Sequence, residues 1–278
     1  MTGRALVLGG GGITGIAWEL GLMAGLREHG VDLADADLIV GTSAGAYVGA
    51  LLATGVDPTA VGAAGGDLTD LAPRIDLGLL AQVFATMSDH SLTPQQARIA
   101  LGRLALDAPV GDATIEVDRF AARLPAPTWP TSPRLVVTAV HTGTGEPVVW
   151  DASAGVPLAT AVAASCAVPG VFPPVQVGDA GRFMDGGVRS VTNADLAAGA
   201  EAVVVVAPTV GLFRSAPRDE LRALGAARTV LLSPDPAARA AIGPNILDQG
   251  RWHAALAAGH AQASGLAASV TAVWRPST

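Results

Sequence analysis

Leu38-Ile39-Val40-Gly41-Thr42-Ser43-Ala44-Gly45 leads an apolar run straight into the pattern G-x-S-x-G, then into a helix-compatible stretch over 44–53 that stops at Gly55. The reading is a buried strand, a sharp turn at a serine, and a helix. A turn that tight forces the serine into a strained backbone conformation and brings neighbouring main chain close. Gly41 and Gly45 supply room that a side chain would fill. Such a turn lifts a hydroxyl above the edge of a sheet, where a substrate carbonyl can reach it. The pentapeptide alone also fits a plain structural turn in a chain this rich in Gly and Ala. Its strand–turn–helix context favours a nucleophile.

Outward from this stretch, strands and helices alternate. Residues 5–8 are a short apolar run ending at glycines, read as a first strand. Residues 15–28 carry Ile16, Leu20 and Met23 at helical spacing and end at Gly30. Residues 38–40 give a second strand and 44–53 a second helix. This alternation predicts an α/β fold with a mostly parallel central sheet flanked by helices. Residues 57–133 are too long for a connection. They contain weaker helical stretches such as 94–106 and a turn-rich tract at 125–133, and are expected to form a helical, lid-like insertion. Beyond it, 134–139 and 147–150 read as a hairpin around His141-Thr142-Gly143-Thr144-Gly145. Residues 158–164 read as a helix stopped by Pro169, 202–206 and 229–232 as buried strands, and 252–273 as a long terminal helix weakened by Gly259 and Gly265. With no repeat and no interdomain linker, residues 1–278 are expected to form one domain.

Composition narrows the function. Half of the 278 residues are hydrophobic and 15% are charged, enough for a large core and too apolar for disorder. The net charge of −7, with no basic stripe, argues against nucleic acid as a partner. All cationic side chains are arginine, which with the alanine abundance hints at a bacterial source of high GC content. Cys166 is the only cysteine, so no intrachain disulfide forms, which fits a reducing compartment. The apolar start is interrupted by residues 9–12 and lacks a cleavage site, so it is not read as a secretory signal. The charge-free stretch 152–178 is cut by Pro157, Pro169, Pro173 and Pro174, too often for a membrane span. A cytoplasmic protein, with peripheral membrane contact left open, is the expectation.

Gly10-Gly11-Gly12-Ile13-Thr14-Gly15 satisfies G-x-G-x-x-G after a strand and before a helix. A dinucleotide fold also wants an acid at the end of the second strand. Here Asp32, Asp35 and Asp37 all precede that strand, which ends in the serine turn instead. A glycine loop at a helix start has another use: its N–H groups and the helix dipole can hold an oxyanion. Adjacent parallel strands would bring this loop beside Ser43. A serine also needs a base. His29, His90, His141, His253 and His260 are the five histidines; only His253 and His260 fit the order of an α/β-hydrolase, and both fall inside a predicted helix. A carboxylate is the other option. Asp185-Gly186-Gly187 ends a short apolar run and reads either as a turn or as an acid facing another loop.

Together these residues resemble the patatin-like phospholipase family. The resemblance rests on the glycine loop at 9–15, the early Gly41-Thr42-Ser43-Ala44-Gly45, and Asp185-Gly186-Gly187 with Asn193 eight residues on. Residues 164–174, Ala-Ser-Cys-Ala-Val-Pro-Gly-Val-Phe-Pro-Pro, are similar to the family's A-S-x-A-x-P-x-x-F-x-P segment. The resemblance runs to about Leu196. It implies a three-layer patatin-like fold and a phospholipase A- or lysophospholipase-like acyl hydrolase that needs neither metal nor cofactor. Ser43 would be the nucleophile, Asp185 the base, and N–H groups around Gly10, Gly11 and Gly12 the oxyanion hole. Gly9, Gly15, Gly41, Gly45, Gly186 and Gly187 would support these motifs. One departure is Thr14, where the family usually has a basic residue, which loosens the link to phospholipid relative to esters in general.

Two alternatives stand beside this reading: a lapsed lipid-binding or scaffolding protein on the same fold, and an α/β-hydrolase-type esterase with a histidine base. A lipid or ester substrate is the expected partner. Leu77, Leu79, Leu80, Val83, Phe84 and Met87 form an apolar cluster that fits helix-packing core, an acyl channel or a transient membrane contact.

Overall fold

The computed structural model describes residues 3–63, 76–209, 217–225 and 228–275. Its centre is an eight-stranded sheet. Strand β1 (Arg4–Leu8) is followed by helix α1 (Gly12–Glu28), and β2 (Leu38–Gly41) by α2 (Ala44–Ala53). Then come helices α3 (Pro58–Ala63), α4 (Leu77–Ser88), α5 (Pro94–Asp107) and α6 (Ala113–Arg123). The second half runs β3 (Arg134–His141), β4 (Pro147–Trp150), α7 (Leu158–Ser165), β5 (Val175–Gln176), β6 (Arg182–Asp185) and β7 (Ala202–Val206). It ends with α8 (Pro217–Ala223), β8 (Arg228–Leu232), α9 (Pro236–Ile242) and α10 (Trp252–Trp274).

The strands lie in the order β5-β6-β3-β2-β1-β7-β8, with β4 on β3. From β3 to β8 the pairing is parallel; β4, β5 and β6 pair antiparallel, so the sheet is largely parallel. Both faces are covered, and β1 and β7 therefore carry no polar residue between Ala5 and Leu8 or across Ala202–Val206. Leu6, Leu8, Val204 and Val206 face the core under α1, α2, α7 and α10. Ala5, Val7, Val203 and Val205 face a second core with Ala194, Ala197 and Leu221 of α8.

The predicted hairpin is present and longer than expected, with Val137 opposite Trp150 and Val140 opposite Pro147. The first helix begins at Gly12, three residues earlier than predicted. Gly259, expected to weaken the terminal helix, does not interrupt it: α10 runs unbroken from Trp252 to Trp274. A Cβ there would lie 2.2 Å from the Trp18 carbonyl oxygen, and one at Gly21 would lie 2.0 Å from that of Leu256. These glycines let α1 and α10 pack backbone to backbone. Helix propensity is lost at each, and close packing along the longest helix pair is gained.

Within 57–133, α4 packs over the loop after α7, with Leu79 and Val83 against the position a Gly170 side chain would occupy. Val83 and Met87 of α4 join Leu101 and Ala105 of α5 and Met184 of β6 in a small core. Phe84 on the same helix is exposed. The predicted apolar cluster is therefore split between packing and surface; the Leu77 side chain and residues 64–75 lie outside the described residues. No helix among the described residues is long and apolar enough to cross a membrane.

Candidate active site

Sheet register brings the serine turn and the aspartate to one level. Gly41 is paired with Val137 in the parallel β2–β3 ladder, and Ala139 with Asp185 in the antiparallel β3–β6 ladder. Ser43 lies two residues beyond Gly41, and Ala139 two beyond Val137. Ser43 and Asp185 therefore flank the end of β3 from opposite sides. The Ser43 hydroxyl lies beside the Asp185 carboxylate and favours its ionised form, and both side chains are buried.

Ser43 has φ 54° and ψ −119°, a region that L residues avoid and that persists where surrounding structure holds it. Several contacts hold it here. A Cβ at Gly45 would lie 2.1 Å from the Leu8 carbonyl oxygen, so only glycine lets α2 start this close to β1. The Gly45 N–H donates to the Gly9 carbonyl at 3.0 Å, and the Thr42 N–H to that of Leu8 at 3.0 Å. The Ser43 N–H donates to Ser165 Oγ at 2.9 Å, and Cys166 Sγ–H to the Ser43 carbonyl at 3.3 Å. The last two contacts show what residues 164–174 contribute: the end of α7 grips the backbone of Ser43.

Burial pushes the Asp185 carboxyl up to about 7, restrained by the Ser43 hydroxyl and by the hydrogen bond it accepts from the Gly187 N–H. The latter measures 2.7 Å. Gly186 is required because a Cβ there would lie 2.2 Å from Thr138 Oγ1. Cys166, beside both residues, is held as a neutral thiol by burial and by the carboxylates of Asp185 and Glu116.

Asn193 braces the gap between the two loops from the one other non-glycine left-handed position among the described residues, φ 51°. Its Nδ2 donates to Thr42 Oγ1 at 3.0 Å and to the Ser190 carbonyl at 2.8 Å; its Oδ1 accepts from Arg189 at 2.7 Å. Arg189 also forms a bidentate pair with Asp195. Glu220, from α8, accepts from the Ser190 hydroxyl, from Thr192 Oγ1 at 2.6 Å and from the Ala194 N–H at 3.0 Å. The sequence reading did not single out Glu220, because a lone glutamate on a short surface helix carries no signal by itself.

The glycine loop stands beside Ser43. The Gly9 N–H donates to the Val206 carbonyl and the Gly10 N–H to that of Val191, each at 2.9 Å. Gly10 is thus tied to the scaffold, and the expected oxyanion donors reduce to Gly11 and Gly12, whose N–H groups have no acceptor among the described residues. Both open α1 and share its positive end. Gly12 has φ +62°, and a Cβ there would lie 2.7 Å from the Ile246 carbonyl oxygen; one at Gly11 would lie 2.5 Å from Pro208 Cβ. Thr14 anchors the loop, giving both its N–H and its Oγ1 to the Ile246 carbonyl at 3.0 and 3.2 Å.

A cavity of about 50 Å³ opens beside Ser43, with Gly12, Ile16, Phe120, Cys166, Phe172 and Leu247 in its walls. None of the five histidines lines it. His253 and His260 are exposed on α10, the latter 3.0 Å from Glu28; the ring of His141 accepts from its own hairpin. Helix α6, which carries Phe120 and Glu116 to this cavity, lies within the helical insertion expected over 57–133, though neither residue was singled out. No group of three or more His, Cys, Asp or Glu placed to hold a metal occurs among the described residues.

A family model described as patatin-like phospholipase matches residues 6–198. Among solved structures, VipD from Legionella pneumophila aligns with a TM-score of 0.50 at 16% identity, covering 96% of this chain and 67% of its own. The type III effector ExoU aligns with a TM-score of 0.45 at 18% identity, over 96% of this chain and 53% of its own. A second ExoU structure, from Pseudomonas aeruginosa in complex with SpcU, gives 0.38 at 21% identity, over 96% and 52%. The chain thus spans about half the length of ExoU. No curated protein matches in sequence.

Proposed function

This chain belongs to the patatin-like phospholipase family, and from that premise we propose that it is a serine acyl-ester hydrolase of lipid-class esters working through Ser43 and Asp185. Family membership supports lipid hydrolysis in general. The assignment to these two residues rests on one observation: a serine at a strained backbone position set beside a buried carboxylate, next to two unengaged N–H groups at a helix N-terminus.

In this reading Asp185 takes the proton of Ser43 Oγ as that oxygen attacks the ester carbonyl carbon. A carboxylate with its ordinary value near 4 is a feeble base; one shifted to about 7 by burial is matched to neutral pH. The negative charge of the tetrahedral intermediate rests on Gly11 and Gly12 N–H, donors fixed in advance and worth roughly 10²–10³ in rate apiece. As the intermediate collapses, the C–O bond to the alcohol breaks and Asp185 returns the proton to the departing oxygen. Water, deprotonated by the same aspartate, then attacks the acyl-serine; the acid leaves and Ser43 regains its proton. Residues 57–133 serve as the covering segment, with α6 directly over the cavity. Hydrolysis of p-nitrophenyl butyrate tests the reading: Ser43→Ala and Asp185→Asn should each remove turnover, and an Asp185→Asn variant with full activity would refute the dyad.

A further inference from the structure

Resting on the acyl-hydrolase reading above, we infer that Ser165 and Cys166 are positioning residues: with Ala167 they form a clamp that sets the spacing of Ser43 and Asp185. Each of these three consecutive residues holds one main-chain group of the pair. The Ser43 N–H donates to Ser165 Oγ at 2.9 Å. Cys166 Sγ–H donates to the Ser43 carbonyl at 3.3 Å. The Asp185 N–H donates to the Ala167 carbonyl at 3.0 Å. Ser43 and Asp185 stand beyond β2 and at the end of β6, which β3 separates in the sheet. The clamp reaches both from a single short piece of chain.

The clamp is anchored in the end of α7. The Cys166 N–H donates to the Val162 and Ala163 carbonyls at 3.0 and 3.1 Å, and the Ala167 N–H to that of Ala164 at 3.2 Å. Leu158, Ala161, Val162 and Ala164 behind it are buried, and Pro169 stops the helix from running on. A serine at this helix end adds no apolar area to the core; its oxygen is the acceptor that the Ser43 N–H needs. Ser43 precedes the first turn of α2, so its N–H has no acceptor within that helix. At 7% exposure, water is a poor substitute. The Ser43 carbonyl is less dependent, since it also accepts from the Ala46 and Tyr47 N–H groups at 2.8 and 3.3 Å, and a thiol is a weak donor. Ser165 therefore carries most of the clamp and Cys166 a smaller share. Without Ser165 the strained serine relaxes toward an allowed conformation, which carries its Oγ away from Asp185. A misplacement of about 1 Å is enough to cost about a hundredfold in rate. Ser165 is not in the walls of the cavity, so substrate binding is spared.

The test compares kcat and KM for p-nitrophenyl butyrate, with circular dichroism and the unfolding midpoint read on every variant. Ser165→Ala should lower kcat about a hundredfold with KM nearly unchanged. Ser165→Thr, which keeps the acceptor oxygen, should recover part of that loss. Cys166→Ala should lower kcat about fivefold, and Cys166→Ser, which keeps a donor of similar size, should restore it. Fluorophosphonate labelling of Ser43 should slow by the same factors. A folded Ser165→Ala with native kcat, whatever its unfolding midpoint, would overturn the clamp while leaving the hydrolase reading intact. Should Ser165→Ala not fold, the Cys166 pair decides: equal kcat in Cys166→Ala and Cys166→Ser would overturn the clamp. No turnover of any ester by the native protein, with no labelling of Ser43, would overturn both the clamp and the reading beneath it.

Discussion

Two buried carboxyl groups set how this protein should respond to pH. Desolvation pushes the Asp185 carboxyl up to about 7 in the folded chain, and in the proposed mechanism it would act as a base only when ionised. The value of kcat/KM should therefore rise with pH through about 7 and level off above it; a profile flat from pH 5 to 8 would exclude Asp185 as the base. Glu19 in α1 is fully buried with no partner at hydrogen-bond geometry, and burial lifts its carboxyl well above the ordinary range, opposed by the nearby Gly9 backbone N–H. A raised acid binds more protons folded than unfolded, so above the ordinary value near 4 stability falls as pH rises. Glu19→Met exchanges an unpartnered polar group for an apolar one of similar length. It should be more stable than the native chain at pH 8, with a smaller gain at pH 5. Urea unfolding at both pH values checks this, and an equal difference at the two would count against it.

Individual elements were unequally legible in the sequence. Strands β1, β2 and β7 could be read because both faces are buried, which turns them into unbroken apolar runs. The serine turn could be read because its glycines are steric necessities. Helix α6 falls inside the helical insertion expected over 57–133; its apolar residues Ala113, Val117, Phe120 and Leu124 lie at i, i+4, i+7 and i+11 and pack on the main core, with charged residues between them. The brace from α8 was silent, since Glu220 acts through three hydroxyl and N–H donors in the loop following Asp185. We expect Glu220 to be a positioning residue. Glu220→Ala should lower kcat about tenfold with little change in KM, and Glu220→Gln, which keeps the acceptor oxygen, should recover part of that loss. A kcat unchanged in Glu220→Ala would remove the residue from the account.

Across the whole molecule, the glycine loop, serine turn, residues 164–174 and Asp185-Gly186-Gly187 resembled one family in sequence, and the family model matches the span that contains them. The supports of the site extend past that span. Pro208 and Thr209 brace the glycine loop, Ile246 anchors Thr14, and Leu247 lines the cavity. These contacts join residues some 200 positions apart through backbone atoms, which leaves no residue pattern to read. Helices α4, α5 and α6 expose Phe84, Leu106 and Ile115.

The central claim is that Ser43 is a nucleophile activated by Asp185. Mass spectrometry of the protein treated with a fluorophosphonate reports on both halves at once. The account predicts a single covalent adduct on the peptide bearing Ser43, formed in the native protein above pH 7, slowed by about two orders of magnitude or more in Asp185→Asn and absent in Ser43→Ala. An adduct on another serine, or labelling of Ser43 at native rate in Asp185→Asn, would contradict it.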